Sequence, residues 1–370
     1  MFNSERLRIA RERRGLTQRA LAEAAELTSR TISTYEKAGV FDEIASDSIS
    51  RIARVLNYPI AFFHEGEVPS LPVEAVSFRA MTKLSAQKRD SALGAGKLAQ
   101  ELSVWIDSQF TLPKPNVPDC SFDSYSEPEE AARVVRENWG IGELSVSNMV
   151  HLLESNGVKV FSLAENCIEV DAFSFWVDEK PFVLLNTMKT PERSRFDAAH
   201  ELGHLVLHKH SSNNGRQAEL DADRFASAFL MPKRSVLASV PRMPSLELLI
   251  KLKKNWKVSL AAMVRRSFDL GLSTEWHYRQ LCIEVNRRGF RTAEPQGLPE
   301  REKSLVLEKV FTALRSKGVR RSEIIEQLRF PLDEVSTLTF NNNFFMETID
   351  GDGMHTTLNE KKSAHLSLVK

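Results

Sequence analysis

The sequence predicts an α+β chain that is mainly helical, with an all-α N-terminal domain joined to a second domain in which helices pack on a small sheet. Three observations carry this. Residues 6–37 hold three short helical segments with polar caps, the run Phe173 to Asn186 has the pattern of a β-hairpin, and apolar residues recur at helical spacing through most of the rest of the 370 residues. Hydrophobic residues make up 42% and charged residues 27%, ordinary globular usage for a chain long enough to form two or three domains. The expected divisions are residues 1–66, a helical linker over 67–118, a second domain over 119–290, and a C-terminal helical region and tail over 291–370.

In the first domain, a basic helix from Arg6 to Arg14 ends at Gly15, Thr17 caps Gln18 to Ala25, and Thr28 caps Ser29 to Lys37. Leu7, Leu21, Ala22, Ala25, Ile32, Tyr35, Ile49, Ile52, Leu56 and Phe63 fall where a five-helix core needs them. The arrangement reads as a helix-turn-helix. Its second helix would set Gln18 at a phosphate, and its third would present Ser29, Arg30, Ser33 and Thr34 to base edges in the major groove of double-stranded operator DNA. Glu26-Leu27 occupies a turn where Gly is usual, so some backbone strain is expected there. The formal net charge of +1 gives no global attraction to nucleic acid, so contacts must come from local clusters such as Arg6, Arg8, Arg11, Arg13 and Arg14. Through Gly15-Leu16-Thr17-Gln18 and Ile32-Ser33-Thr34-Tyr35-Glu36, residues 4–64 resemble the Cro/cI-like, or Xre, DNA-binding domain.

Glu65 to Pro72 reads as a polar linker, and Ser85 to Phe110 as one long helix that the Pro-rich run Leu112 to Pro118 breaks. Such a helix would space the two domains. Its stripe Leu93, Leu98, Leu102 and Ile106 is expected to pack on the second domain, with pairing to a second copy in a homodimer as the alternative. Glu127 to Leu163 predicts two helices and a strand, with Gly157 stopping the second helix. Asp178-Glu179-Lys180-Pro181 then turns the hairpin.

His200-Glu201-Leu202-Gly203-His204 is the most informative stretch. On a helix, His at i and i+4 point to one side, and two neutral imidazoles bind Zn²⁺ well, while Glu201 sits one step round as a base for water. Ala198, Leu202, Leu205 and Val206 supply the packing face. A second amphipathic helix over Glu219 to Ala226 places Glu219 and Asp223 one turn apart, and the reading assigns Glu219 as third ligand and Asp223 as acceptor for a ligating histidine's free ring N–H. His210 competes by its spacing from His200, but Leu207 stands where that pattern needs Gly. His208 lies a turn too far along to share the ion and reads as packed or substrate-facing. His208, His210 and the loop Asn213-Asn214-Gly215-Arg216 are the candidate oxyanion donors.

Leu246 to Leu272 predicts two helices joined at Lys257-Val258-Ser259, a packing pair more than a second DNA reader through Lys251, Lys253, Lys254, Arg265 and Arg266. Pro299 to Phe340 adds a helical pair divided near Gly318. Cys120, Cys167 and Cys282, few and odd in number, predict free thiols. The start Met1 to Glu5 lacks signal-peptide character and no apolar run approaches a membrane span, so a cytoplasmic protein with no membrane partner is expected.

The run Arg195 to His208, followed by Glu219 to Ala226 and then Leu230-Met231-Pro232, resembles the ImmA/IrrE family of metallo-endopeptidases, with the likeness reaching from the hairpin to about Leu272. The resemblance implies a gluzincin-like zinc site in which His200, His204 and Glu219 hold the ion and Glu201 is the general base. It also implies a regulator that cleaves a partner protein, a transcription repressor. The alternative is a non-catalytic DNA-binding regulator, antitoxin-like or stress-sensing, whose zinc domain only senses or docks a partner.

Overall fold

A computed structural model describes residues 1–37, 40–41, 44–71, 85–121, 127–163, 172–209, 215–346 and 367–368. Pro72, Cys167, His210, Asn213, Asn214 and most of the tail after Met346 lie outside the described residues.

The N-terminal domain forms as its caps dictate. Asn3, in β1 (Phe2–Asn3), accepts from the Glu5 N–H and starts α1 (Ser4–Arg13); Gly15, at φ +61°, turns the chain out of it. The Thr17 hydroxyl accepts from the Ala20 N–H to cap α2 (Gln18–Ala24), and Thr28 does the same for Thr31 at the head of α3 (Ser29–Lys37). Between them Glu26 sits at φ +55°, the strain expected of a non-Gly residue in that turn. β2 (Val40–Phe41) pairs antiparallel with β1, and α4 (Ser46–Leu56) and a 3₁₀ turn (Ile60–His64) complete the domain. Every expected core residue is buried except Tyr35, which is half-buried.

The long helix α5 (Ala86–Gln109) is not a spacer. It is buried nearly all round, from Ser91 to Ile106. Two glycines explain how. A Cβ on Gly94 would stand 2.9 Å from Arg13 Cδ, and one on Gly96 would stand 2.8 Å from Leu71 and 3.4 Å from the rings of Phe173 and Phe175. Two positions apart is about 200° round a helix, so α1 approaches one side and the sheet the other. One core therefore runs through both halves.

Of the five clustered arginines, Arg6, Arg13 and Arg14 are spent in this junction and Arg11 inside the first domain, contrary to the expectation that they form a DNA-facing cluster. Arg6 donates to the Gly66 carbonyl and to Glu101 of α5, and Arg11 pairs with Glu36. Arg13 is buried against Glu334 and the Ser91 carbonyl, and Arg14 pairs with Asp333. Arg8 alone of the five is largely exposed, beside Glu5.

In the second domain, β3 (Phe110–Thr111) follows α5, and α6 (Pro128–Asn138) and α7 (Met149–Ser155) precede β4 (Lys159–Leu163). Gly157, at φ +76°, ends α7 as expected. β5 (Ala172–Val177) and β6 (Lys180–Asn186) form the hairpin, whose turn is just Asp178 and Glu179, both at positive φ. The sheet order is β4-β6-β5, with β4 parallel and β5 antiparallel to β6. Phe173 and Phe175 face α5, while Ser174 and Trp176 face α8 (Pro191–Leu207). α9 (Arg216–Leu230) packs closely on α8: a Cβ on Gly203 would lie 3.1 Å from the Phe225 ring and 3.2 Å from Ala222 Cα.

α10 (Lys233–Ser239), α11 (Leu246–Trp256), α12 (Leu260–Asp269) and α13 (Glu275–Arg287) follow. Lys253 is buried against Glu294 and Arg266 against Glu129, so these two basic residues hold the fold together, while Lys251, Lys254 and Arg265 are exposed. Among the described residues, Pro299 to Phe340 holds three helices where the sequence suggested two, α14 (Leu305–Ser316), α15 (Arg321–Leu328) and α16 (Leu332–Leu338), and α17 (Asn343–Met346) follows, with β7 (Ser367–Leu368) pairing to β3. This region is tied back by reciprocal caps. Glu154 of α7 accepts from the Ser304 hydroxyl and the N–H groups of Leu305 and Val306, while Glu302 accepts from the N–H groups of Met149 and Val150 and pairs with buried Arg195 of α8.

Candidate metal centre and DNA-facing helix

Thr190 caps α8 and Pro191 occupies its first position, so the helix begins three turns ahead of the histidines. His200 and His204 then meet Glu219 from α9 across the close contact that Gly203 permits. The Nε2 atoms of His200 and His204 are 3.1 Å apart, and they lie 3.4 Å and 3.5 Å from the two carboxylate oxygens of Glu219. Tetrahedral bonds of about 2.0–2.1 Å set donor atoms about 3.4 Å apart, so this group could hold a metal ion with little rearrangement.

The surrounding groups fix both rings. Asp223 Oδ1 lies 2.9 Å from His200 Nδ1 and so leaves Nε2 to face Glu219. His204 Nδ1 lies 3.2 Å from His208 Nδ1. Burial and the neighbouring His204 push the His208 pKa down to about 4, so its neutral ring can accept that N–H. This contact of His208 to a ring of the site is one the sequence reading did not find. For His200, burial acts downward but is outweighed by its hydrogen bonds to Asp223 and Glu219 and by the Glu201 charge, and its pKa rises to about 10. For Glu219, burial acts upward and is outweighed by the hydrogen bonds from His200 and His204, which take it down to about 2. A metal at Nε2 therefore competes with a proton.

Glu201 is buried and points to the sheet side, where the Ser174 hydroxyl donates to its Oε2 at 2.7 Å. Ser174 is a second residue that motif reading missed. Asp223 opens onto a groove of about 760 Å³, walled by Arg193, Phe196, Leu220, Arg224 and Ala262.

In the N-terminal domain, Ile32 is buried and the opposite side of α3 presents Ser29, Arg30 and Thr34 to solvent, with Ser33 half-buried. Thr34 donates to the Arg30 carbonyl, and Arg30 makes no ion pair among the described residues. Gln18 is less free than expected. Its amide donates to Glu36 Oε2 at 2.7 Å, joining the Arg11–Glu36 pair that locks α1, α2 and α3 together.

Residues 153–268 match the peptidase-family model described as the IrrE N-terminal-like domain, and residues 7–63 match a helix-turn-helix model. The chain carries a helix-turn-helix followed by an IrrE-like domain. No curated protein matches it. The IrrE-like match holds Ser174, the whole His/Glu cluster, Asp223 and His208, while α5, α6 and the helices beyond α12 lie outside it. The matched family is a metallopeptidase family, which implies a metal ion here; no helix among the described residues is long and apolar enough to cross a membrane.

Proposed function

We propose that this chain is a cytoplasmic DNA-binding transcription regulator whose IrrE-like domain is a zinc-dependent endopeptidase acting on a partner regulator, a repressor being the expected substrate. The observation that carries the reading is the convergence of His200 Nε2, His204 Nε2 and the Glu219 carboxylate at 3.1 to 3.5 Å, with a second carboxylate, Glu201, held outside that set. Two imidazoles and one carboxylate at tetrahedral spacing suit Zn²⁺ and leave a position open. Bound there, the ion would supply Lewis-acid polarisation of a peptide carbonyl and acidify water.

The remaining work falls to side chains. Glu201 takes the proton from the attacking water and delivers it to the leaving amine. Asp223 and His208 hold the ligating rings in one tautomer. On the DNA side, Arg30, Ser29, Ser33 and Thr34 address base edges, and Gln18, steadied by Glu36, faces a phosphate.

Metal analysis and cleavage of a neighbouring-encoded repressor, with and without chelator, test this together. One zinc per chain is expected, lost in Glu219→Ala. Glu201→Gln should keep the metal and lose about 100-fold or more in cleavage. Loss of zinc in Glu201→Gln would remove its role as base. Zinc retained by a wild type that cleaves no regulator would leave the sensing, non-catalytic reading.

A further inference from the structure

β5 reads Ala-Phe-Ser-Phe-Trp-Val, and Ser174 is a hydroxyl buried in an apolar strand, 3% exposed and opposite Val183. Packing alone gives no reason for it, because a buried hydroxyl loses its water and needs a partner. The partner is Glu201. Ser174 Oγ donates to Glu201 Oε2 at 2.7 Å and lies 3.3 Å from the Glu201 carbonyl oxygen. Two residues along the strand, Trp176 Nε1 donates to the carbonyl of Leu205, four residues along the helix. Two strand residues advance about 6.6 Å and four helical residues about 6 Å, so β5 and α8 run in step and the Ser174–Glu201 contact is set by register.

We infer that Ser174 is a positioning residue for Glu201. Its hydroxyl fixes one carboxylate oxygen, so the carboxylate stands in a single orientation beside the metal position instead of sampling several; the inference rests on the peptidase reading of the site. Among the described residues the hydroxyl of Ser174 bonds to Glu201, and no hydrogen bond joins it to His200, His204 or Glu219, so its loss should be read at the base and not at the metal ligands.

The test uses the full chain loaded with zinc, with Ser174→Ala and Ser174→Thr. Three quantities are read: zinc content, affinity for acetohydroxamic acid, whose hydroxyl proton is accepted by a carboxylate beside the metal, and kcat and KM for repressor cleavage. Ser174→Ala should keep zinc, lose affinity for the hydroxamate several-fold, and lower kcat at least tenfold with KM unchanged, and Ser174→Thr should restore both. In a Glu201→Gln background, Ser174→Ala should change hydroxamate affinity no further. Wild-type hydroxamate affinity and kcat in Ser174→Ala would overturn the inference, and so would loss of zinc, which would make Ser174 a structural latch. If the wild type binds zinc and hydroxamate but cleaves no regulator, the peptidase reading fails while the hydroxamate series still decides whether Ser174 acts through Glu201.

Discussion

Replacing Glu334 with Ala should cost more stability than any surface change in this chain, and the size follows from what the carboxylate holds. The side chains of Glu334 and Arg13 are each 2% exposed. Arg13 Nη2 donates to Glu334 Oε2 at 2.6 Å and Nε donates to it at 3.0 Å, and the Tyr58 hydroxyl donates to Oε1 at 2.9 Å. Deleting the carboxylate leaves a buried guanidinium and a buried phenol without this shared acceptor, while Arg13 keeps its bonds to the Ser91 carbonyl and hydroxyl. Breaking a buried pair from one side costs about 3–5 kcal/mol, and the Tyr58 bond adds about 1 kcal/mol, against a total stability of about 5–15 kcal/mol for a domain.

Chemical denaturation at neutral pH, followed by tryptophan fluorescence, measures the loss. The double variant Arg13→Met with Glu334→Leu is the control, because removing both charges and filling the space should recover most of it. A loss below about 1 kcal/mol in Glu334→Ala would show that the pair is solvated in solution and the helix-turn-helix is not welded to α16.

Arg30→Ala should weaken binding to the preferred operator by about 1–3 kcal/mol and relax its sequence preference, measured by titration against operator and scrambled duplexes; equal affinity for all sequences in both proteins would make α3 a docking helix. Glu154 predicts a pH dependence. Burial pushes its pKa up to about 7, against the hydrogen bonds from Ser304, Val306 and Leu305. Between about 4.5 and 7 the folded chain holds a proton that the unfolded chain has released, so this group makes unfolding free energy fall as pH rises through that window, by about 3 kcal/mol in all, and level off above it. Glu154→Gln should flatten that slope in thermal unfolding followed from pH 5 to 8, and an unaltered slope would count against a raised pKa.

What the sequence made legible was whatever repeats at short range. The spacing of His200 and His204 and of Glu219 and Asp223 is a property of one helix turn, and Thr17, Thr28 and Gly157 mark helix ends by local hydrogen bonding or backbone freedom. Both strands of the hairpin are short runs of β-forming residues on either side of a tight turn, a local pattern that needs no partner to be recognised. What stayed hidden depends on distant chain. The arginines of α1 look like a DNA-binding stripe until Glu101 and Glu334, 95 and 321 residues away from Arg6 and Arg13, are brought against them. The stripe of α5 was visible, but burial on two sides follows from Gly94 and Gly96, which a periodicity count scores as weak positions. Ser174 and His208 carry no motif, because each matters only through the residue it touches.

If the IrrE-like domain is the repressor-cleaving peptidase proposed above, the shared core changes what a DNA reader on the same chain can do for it. A flexible linker would hold the cleft within reach of a neighbouring protein at any angle, with an effective concentration on the order of millimolar. Here α5 lies against α1 on one side and the sheet on the other, and Arg13 fixes α1 to α16, so the metal cluster stands at one orientation to α3. A substrate repressor on an adjacent site is then reached only when DNA presents it on the right side. Cleavage should be enhanced by operator DNA with a periodic dependence on spacing: inserting about 5 base pairs between the two sites turns the repressor half a turn away and should abolish the enhancement, and inserting about 10 should restore part of it. The assay is a time course of repressor cleavage on duplexes that differ only in that spacer. Equal enhancement at every spacing would mean that the two halves swing independently in solution, against the continuous packing through α5.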